Sequence, residues 1–258
     1  MKYWHMSGAG NDFMVMDARD GDFDFQALSK SLCAAYGTDG FMALDRSEKA
    51  DFRLHFYNSD GTRGEMCGNG ARCICKFAYD HGIAGEEMSV ETDAGIVYGW
   101  RLGAEHYRVQ LNNPGLVNLT CRENGAYVEL GDPGVPHSVT HWPGLQWEDR
   151  QALLPEFLVY RNAPEYPKGV NVNFYTWVGE TTIRILTFER GVEDYTLACG
   201  TGSASTAVVL WLTGHFPGGK LTVLNPGGKL EVTVEGANGI VHRLFLEGPA
   251  TVLNVLEL

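Results

Sequence analysis

The sequence predicts a mixed α+β fold of two similar halves, related by pseudo-two-fold symmetry, each a mainly antiparallel sheet or barrel around a central helix. Two observations carry this prediction: one motif occurs twice, and strand-like and helix-like segments flank both copies in the same order. The segment Met66-Cys67-Gly68-Asn69-Gly70-Ala71 returns as Ala198-Cys199-Gly200-Thr201-Gly202-Ser203. Weaker matches on both sides keep the same order at nearly the same offset, which indicates an internal duplication.

Each half shows the same succession of elements. Phe52–Tyr57 and Thr182–Phe188 are rich in β-branched and aromatic residues, which favours strands. After each motif copy, Ala71–His81 and Ser203–Thr213 lack proline and internal glycine, and each is followed by a glycine, so both are predicted helices. The predicted later strands lie in Met88–Leu102, Tyr107–Leu111, Leu221–Val234 and Val241–Leu246. His141–Leu154 is predicted as a loop with a short helix that only the second half contains.

The duplication also predicts the domain organisation. The two halves join near residues 112–116, so the N-terminal half-domain covers residues 1–113 and the C-terminal half-domain covers residues 114–247. The C-terminal strand, residues 248–258, is expected to complete the first half-domain.

Composition excludes several classes of function. The chain has 258 residues, with 20 basic and 32 acidic side chains and a net charge of −12, which disfavours binding to a phosphate backbone. It shows neither the apolar region of a signal peptide nor a run of about 18 apolar residues, so neither export nor membrane insertion is expected. Six cysteines in a chain of this kind are predicted to be reduced thiols in the cytoplasm.

The repeated motif places a cysteine just before a predicted helix. A helix N-terminus exposes unpaired N–H groups and partial positive charge, so it is expected to lower the pKa of the thiol and to bind an anion such as a carboxylate. Two such copies indicate two thiols facing each other across a cleft between the halves. A thiolate base on one face of a carbon and a thiol acid on the other would invert a stereocentre.

The motifs together resemble the diaminopimelate epimerases, pyridoxal-independent enzymes that interconvert LL- and meso-diaminopimelate in lysine and cell-wall precursor biosynthesis. The resemblance spans almost the whole chain. Besides the two cysteine segments, it is carried by Gly8-Ala9-Gly10-Asn11-Asp12-Phe13, Asn58-Ser59-Asp60-Gly61, Asn171-Val172-Asn173-Phe174 and Glu189-Arg190-Gly191-Val192. It implies an amino-acid substrate, a homodimer, and neither cofactor nor metal.

The resemblance also implies roles for individual residues. Cys67 and Cys199 would be the acid–base pair, with His137 beside them. Glu189 would hold the reacting amine. The residues that would cradle the carboxylate at the reacting carbon are Gly68, Asn69, Gly200 and Thr201. The residues that would bind the distant end of the substrate are Asn11, Asn58, Asn171 and Arg190.

Two positions depart from the family pattern. Val135 stands where the family has an asparagine in a Gly-Asn-Pro-His segment. Valine cannot form the side-chain hydrogen bond that this asparagine offers the distant end of the substrate, and such a bond to a charged group is worth about 1.5–3 kcal/mol. This difference motivates an alternative, a cofactor-independent racemase of another amino acid such as histidine. Tyr195 stands where the family commonly has an acidic residue, just before the second cysteine. A second alternative, from another functional class, is a non-catalytic thiol redox sensor.

Overall fold

The computed structural model describes residues 1–64, 67–123, 125–132 and 134–257, and the chain divides into two compact units. Unit 1 comprises Met1–Gln110 with Glu247–Leu258, and unit 2 comprises Leu111–Leu246. Met66 of the first motif copy and Leu258 of the predicted C-terminal strand lie outside the described residues. The half-domain bounds drawn from the sequence remain a prediction.

The N-terminal part of the chain forms eight strands and two helices in its described ranges. They are β1 (Lys2–Gly8), β2 (Asn11–Asp17), α1 (Phe25–Tyr36), β3 (Gly40–Asp45), β4 (Phe52–Asn58), β5 (Arg63–Gly64), α2 (Gly68–Asp80), β6 (Glu87–Thr92), β7 (Gly95–Gly103) and β8 (His106–Leu111).

The remaining part contains the elements of unit 2 and one closing strand. They are β9 (Pro114–Arg122), β10 (Gly125–Gly131), β11 (Gly134–His141), a 3₁₀ turn (Trp147–Asp149), α3 (Arg150–Arg161), β12 (Asn171–Gly179), β13 (Thr182–Glu189), β14 (Asp194–Tyr195), α4 (Gly200–Leu212), β15 (Gly219–Asn225), β16 (Gly228–Ala237), β17 (Ile240–Pro249) and β18 (Thr251–Glu257).

The strands of each unit pair in the same sequence. In unit 1, β1 pairs antiparallel with β2, β2 parallel with β3, β3 antiparallel with β4, β4 parallel with β6, and β6 antiparallel with β7. In unit 2, β10, β11, β12, β13, β15 and β16 repeat that order of antiparallel and parallel pairs. The flanking strands also correspond, since β18 pairs with β1 and β9 pairs with β10. The duplication is therefore visible in the strand pairing, and the predicted mixed α+β class is confirmed.

In each unit a helix of 13 residues, α2 or α4, follows the short strand that comes after β4 or β13. In α2, residues from Gly68 to Ala78 are all buried, and in α4 ten of the residues from Gly200 to Leu210 are buried. Helices that are buried on nearly all sides lie inside the core of their units, and α2 does so although it carries Arg72 and Lys76. Within the described part of the chain, no helix has the length and apolar character needed to cross a membrane.

Each unit has an aromatic core beside its sheet. In unit 1, α1 covers Phe41 and Met14, and both side chains are fully buried. In unit 2, Phe157 from α3 packs against Phe174 from β12 with ring centroids 4.0 Å apart. These contacts fix the strands that carry the predicted site residues.

Most elements predicted from the sequence are confirmed, including both central helices and the strands that precede them. One prediction was wrong in two respects. The helix expected to end by Leu154 continues to Arg161, and the second half is not alone in having it, because α1 connects the parallel strands β2 and β3 as α3 connects β11 and β12. Pro155 inside α3 removes one backbone donor, which favours a break. The burial of Phe157 two residues later, with no exposed surface, outweighs that cost.

Candidate functional site

In unit 1 the structure places Cys67 directly before α2, as the sequence predicts. Cys67 is the N-cap residue, with extended backbone angles (φ −127°, ψ 121°), and Gly68 and Asn69 are the first residues of the helix. The backbone N–H groups of this first turn have no partner within the helix. They lie next to the thiol, and they carry the partial positive charge that favours an anion.

The structure joins two of the predicted binding residues of unit 1. Asn69 Nδ2 donates to Asn11 Oδ1, and Asn11 Nδ2 donates to Asp39 Oδ2 at 3.2 Å. Asn58, at the end of β4, instead donates to Thr62 Oγ1 at 3.0 Å. Asn11 and Asn69 therefore form one hydrogen-bonded group beside Cys67, and Asn58 belongs to a neighbouring turn.

In unit 2 the equivalent position is occupied by Cys199, the N-cap residue of α4. Its Sγ accepts a hydrogen bond from the backbone N–H of Gly202 at 3.3 Å and lies 3.5 Å from Thr201 Oγ1. A Cβ on Gly202 would overlap Asn173 Oδ1 and would lie 3.2 Å from the sulfur. Glycine is thus required here for the close approach of the thiol, the helix backbone and Asn173.

The expected lowering of the thiol pKa by the helix N-terminus is wrong for Cys199. Burial and the negative charge of Glu189 raise the pKa of the Cys199 thiol well above its ordinary value. The hydrogen bonds from Thr201 and Gly202 act in the opposite direction and are outweighed. A thiolate loses more hydration on burial than two hydrogen bonds return, so Cys199 is a protonated thiol in this state.

Three predicted binding residues meet at the end of β13. Asn171 Oδ1, which is buried, accepts a hydrogen bond from the Arg190 backbone N–H at 2.8 Å. Glu189 Oε1 accepts from Thr196 Oγ1 at 2.8 Å, and the Arg190 guanidinium is exposed and donates to the Lys168 carbonyl. The buried amide thereby fixes the backbone from which Glu189 and Arg190 extend.

His137 is fully buried in unit 2, and its pKa is lowered to about 3 by burial and by the positive charge of Arg190. The amide nitrogen of Asn173 lies 3.2 Å from His137 Nδ1 and also donates to the Ser138 carbonyl at 2.8 Å. The Ser138 carbonyl can only accept, which fixes the amide nitrogen on this side, and Asn173 Oδ1 accepts from Thr187 Oγ1 on the other. His137 therefore accepts through Nδ1 and carries its proton on Nε2.

The sequence assigned no role to three polar residues that hold these groups: Asp39, Arg72 and Asn173. Asn173 lies two positions after Asn171 and therefore on the same face of β12, a spacing that could have revealed it. Arg72 follows the first motif copy, where the second copy has Ala204. A charged residue present in only one of two duplicated helices is a usable signal.

The two positions that depart from the family pattern have different surroundings. Val135, on β11, is 39 % exposed. The hydroxyl of Tyr195 donates to the Arg150 carbonyl at 2.7 Å, and its ring packs edge-on against Phe157 and Phe188. Tyr195 therefore anchors α3 to the core of unit 2.

The fold is shared with a class of solved structures that includes epimerases. A phenazine biosynthesis protein of the PhzF family from Bacillus anthracis matches with a TM-score of 0.78 and 15% identity, covering 100% of this chain and 98% of that chain. A hydroxyproline epimerase from Agrobacterium vitis matches with a TM-score of 0.73 and 14% identity, covering 100% and 90%. At these identities the likeness shows the fold alone.

Sequence similarity shows the family. The family model described as Diaminopimelate epimerase matches residues 3–116 and 131–253. Diaminopimelate epimerases from Chlorobaculum tepidum and Flavobacterium psychrophilum are 35% and 33% identical to this chain, covering 95% and 97% of it and 96% and 97% of their own lengths. The chain belongs to the diaminopimelate epimerase family. It is an isomerase, and both the resemblance and the enzyme class predicted from the motifs are confirmed.

The groups around Cys199 predict opposite effects of two substitutions on its pKa. Glu189→Gln removes a negative charge and lowers the pKa, so alkylation of Cys199 by iodoacetamide at pH 8 becomes faster. Thr201→Val removes a hydroxyl donor to the sulfur and raises the pKa, so alkylation becomes slower. Peptide mass spectrometry over a pH series measures both rates, with Cys121 as the internal reference. Equal pKa values in the two variants would contradict this account of the thiol.

The equivalent glycines of the two motif copies are predicted to differ in their tolerance of alanine. Gly202→Ala forces Cβ into Asn173 Oδ1, which is held by buried hydrogen bonds, so the free energy of unfolding falls by about 1–3 kcal/mol. At Gly70 the nearest atom is the sulfur of the flexible Met42 side chain at 3.1 Å, so Gly70→Ala costs less. Chemical denaturation of both variants checks the order, and a Gly70 variant as destabilised as the Gly202 variant would refute it.

Proposed function

We infer that this protein interconverts LL- and meso-diaminopimelate by two-base chemistry, with Cys67 and Cys199 as the acid–base pair. The observation that carries the proposal is the duplicated arrangement in which a cysteine occupies the N-cap position of a buried helix in each unit. Epimerisation requires removal of a proton from one face of Cα and delivery of a proton to the other. One thiol for each face meets that requirement, and their roles exchange when the reaction reverses.

The helix N-termini supply what the carbanionic intermediate needs. Charge that leaves Cα spreads into the adjacent carboxylate, where fixed N–H donors stabilise it. The first residues of α2 and α4, Gly68 and Asn69 together with Gly200 and Thr201, present such donors beside the sulfurs. Small or short side chains at these positions allow a carboxylate to approach the backbone.

The raised pKa of Cys199 fits a proton donor in the resting enzyme and a base once substrate is bound. Glu189 is proposed to hold the reacting ammonium group. That positive charge would offset the carboxylate that raises the thiol pKa, so substrate binding itself would increase the thiolate fraction of Cys199. His137, with a pKa of about 3, stays neutral at working pH and is proposed to act as an N–H donor.

The remaining parts of the proposal concern context. We propose that Asn11, Asn58, Asn171 and Arg190 bind the distant amino-acid end of the substrate. The thiol mechanism needs neither pyridoxal phosphate nor a metal. The enzyme is proposed to work as a cytoplasmic homodimer in lysine and cell-wall precursor biosynthesis, an assembly that light scattering of the purified protein tests.

Val135 favours one second candidate, a racemase of another amino acid such as histidine, because its exposed side chain offers no hydrogen bond. Purified protein, dialysed against a chelator and treated with a carbonyl reagent, is assayed with LL-diaminopimelate and a panel of L-amino acids. We expect turnover of diaminopimelate under these conditions. Turnover of histidine alone would establish the second candidate. A reversible disulfide without deuterium incorporation from any substrate would point to a thiol sensor.

Replacement of either proposed acid–base cysteine should abolish most epimerisation but leave exchange of the Cα proton on one face of the substrate. Cys67→Ser and Cys199→Ser each retain one thiol, and serine is a far weaker acid, so each variant exchanges the Cα proton of only one stereoisomer. Deuterium uptake from D2O, measured for each isomer separately, should therefore show opposite preferences in the two variants. Cys33→Ser, in the core of unit 1, is the matched control. Near-normal epimerisation by Cys199→Ser would overturn the assignment.

A further inference from the structure

A buried arginine beside the first cysteine motif contacts one of the proposed binding residues, Asn69. Arg72 lies in α2, and its side chain is fully buried. Its guanidinium donates to Asn69 Oδ1 at 2.9 Å, to the Gly68 carbonyl at 3.3 Å and to the Pro249 carbonyl at 3.3 Å. All three acceptors are neutral. Burial lowers the pKa of Arg72 to about 10, which leaves it positively charged at neutral pH.

From Arg72 a continuous series of hydrogen bonds runs through unit 1. Asn69 accepts from Arg72 through Oδ1 and donates through Nδ2 to Asn11 Oδ1. Asn11 then donates through Nδ2 to Asp39 Oδ2. The same carboxylate oxygen accepts from the Asp12 backbone N–H at 2.8 Å.

The two ends of this series determine its direction. An arginine side chain can only donate hydrogen bonds, and an ionised carboxylate can only accept them. An asparagine amide can be turned over, which exchanges its donor and its acceptor. With Arg72 at one end and Asp39 at the other, turning over either amide would set two donors or two acceptors against each other.

We propose that Arg72 is a positioning residue which, with Asp39 at the opposite end, fixes the orientation of two substrate-binding amides. The inference rests on the proposed function, because it concerns how Asn11 meets the substrate. The carbonyl oxygen of Asn11 already accepts an internal hydrogen bond, and Asp39 engages one of its two amide hydrogens. Asn11 therefore keeps one amide hydrogen for an acceptor on the substrate, which a carboxylate supplies and an ammonium group does not.

The proposal is tested with substitutions at Arg72 in the full-length protein. Arg72→Met removes every donor and frees Asn69 to turn over, so kcat/KM for diaminopimelate falls by about tenfold to hundredfold, mostly through KM. Arg72→Lys keeps a charged donor and recovers part of that loss. The control is Lys76→Met on the same helix, because Lys76 is also buried but donates to the Ala104 carbonyl and pairs with Asp80. Its KM should stay at the wild-type value.

A second readout does not depend on turnover. In protein labelled with ¹⁵N-asparagine, the side-chain N–H groups of Asn11 and Asn69 should exchange slowly with water, and in Arg72→Met about tenfold faster or more. If the wild type shows this protection but does not turn over diaminopimelate, the proposed function fails and the positioning role stands. If folded Arg72→Met keeps both the wild-type KM and slow exchange, the positioning role is wrong.

A variant at Asp39, the opposite end of the hydrogen-bond series, tests the proposal if Arg72→Met does not fold. Asp39→Asn is nearly isosteric, but its amide can donate as well as accept, so the direction of the series is no longer fixed there. We expect faster exchange of the Asn11 amide and a raised KM. Wild-type exchange and KM in this variant would overturn the proposal independently of Arg72.

Discussion

Each unit depends on one constraint: the first turn of its central helix is buried in the core, yet its backbone N–H groups must stay accessible to an acceptor. Burial of α2 and α4 gives each sheet its central packing partner, but it also removes water from backbone N–H groups that have no partner within the helix. Buried donors of this kind must find an acceptor. In unit 2 the Cys199 sulfur is one such acceptor, since it binds the Gly202 N–H. The remaining donors suit an anionic ligand.

This constraint explains the composition of the repeated motif. Cysteine at the N-cap supplies a polarisable sulfur in place of the usual Ser, Thr, Asp or Asn. Glycine at the third helical position admits Asn173 in unit 2 and the Met42 side chain in unit 1. The N-cap cysteine and the glycine leave some backbone N–H groups of the first turn without a side-chain acceptor, and their small size leaves space beside those groups. The same residues therefore weaken the cap and allow a ligand to bind at the helix end.

Much of the fold could be predicted because the duplication doubled every local signal. Strand alternation, helix length and the glycines that end each helix gave the elements on both sides of the motif, and the structure confirms them. The prediction was wrong at α3, because the local sequence does not show the tertiary burial of Phe157 that accompanies the continuation of the helix past Pro155. The sequence also could not give the direction of the Cys199 pKa. Helix-end electrostatics lower it, and only the structure shows that burial and Glu189 outweigh them.

The two motif copies are alike in backbone but differ in charge. Near Cys199 the charged neighbour that acts on the thiol is the carboxylate of Glu189, which disfavours a thiolate. In unit 1 the corresponding helix carries two buried cations, and Arg72 is the one that contacts the first turn, through the Gly68 carbonyl and the Asn69 side chain. A positive charge at this place favours an anion. Under the proposed two-base chemistry, one sulfur starts each direction of the reaction as a thiolate and the other as a thiol, and unequal surroundings favour such a pair. The duplicated backbone supplies matched positions for the two cysteines, and its sequence divergence, Arg72 in one copy and Ala204 in the other, makes their electrostatic surroundings unequal.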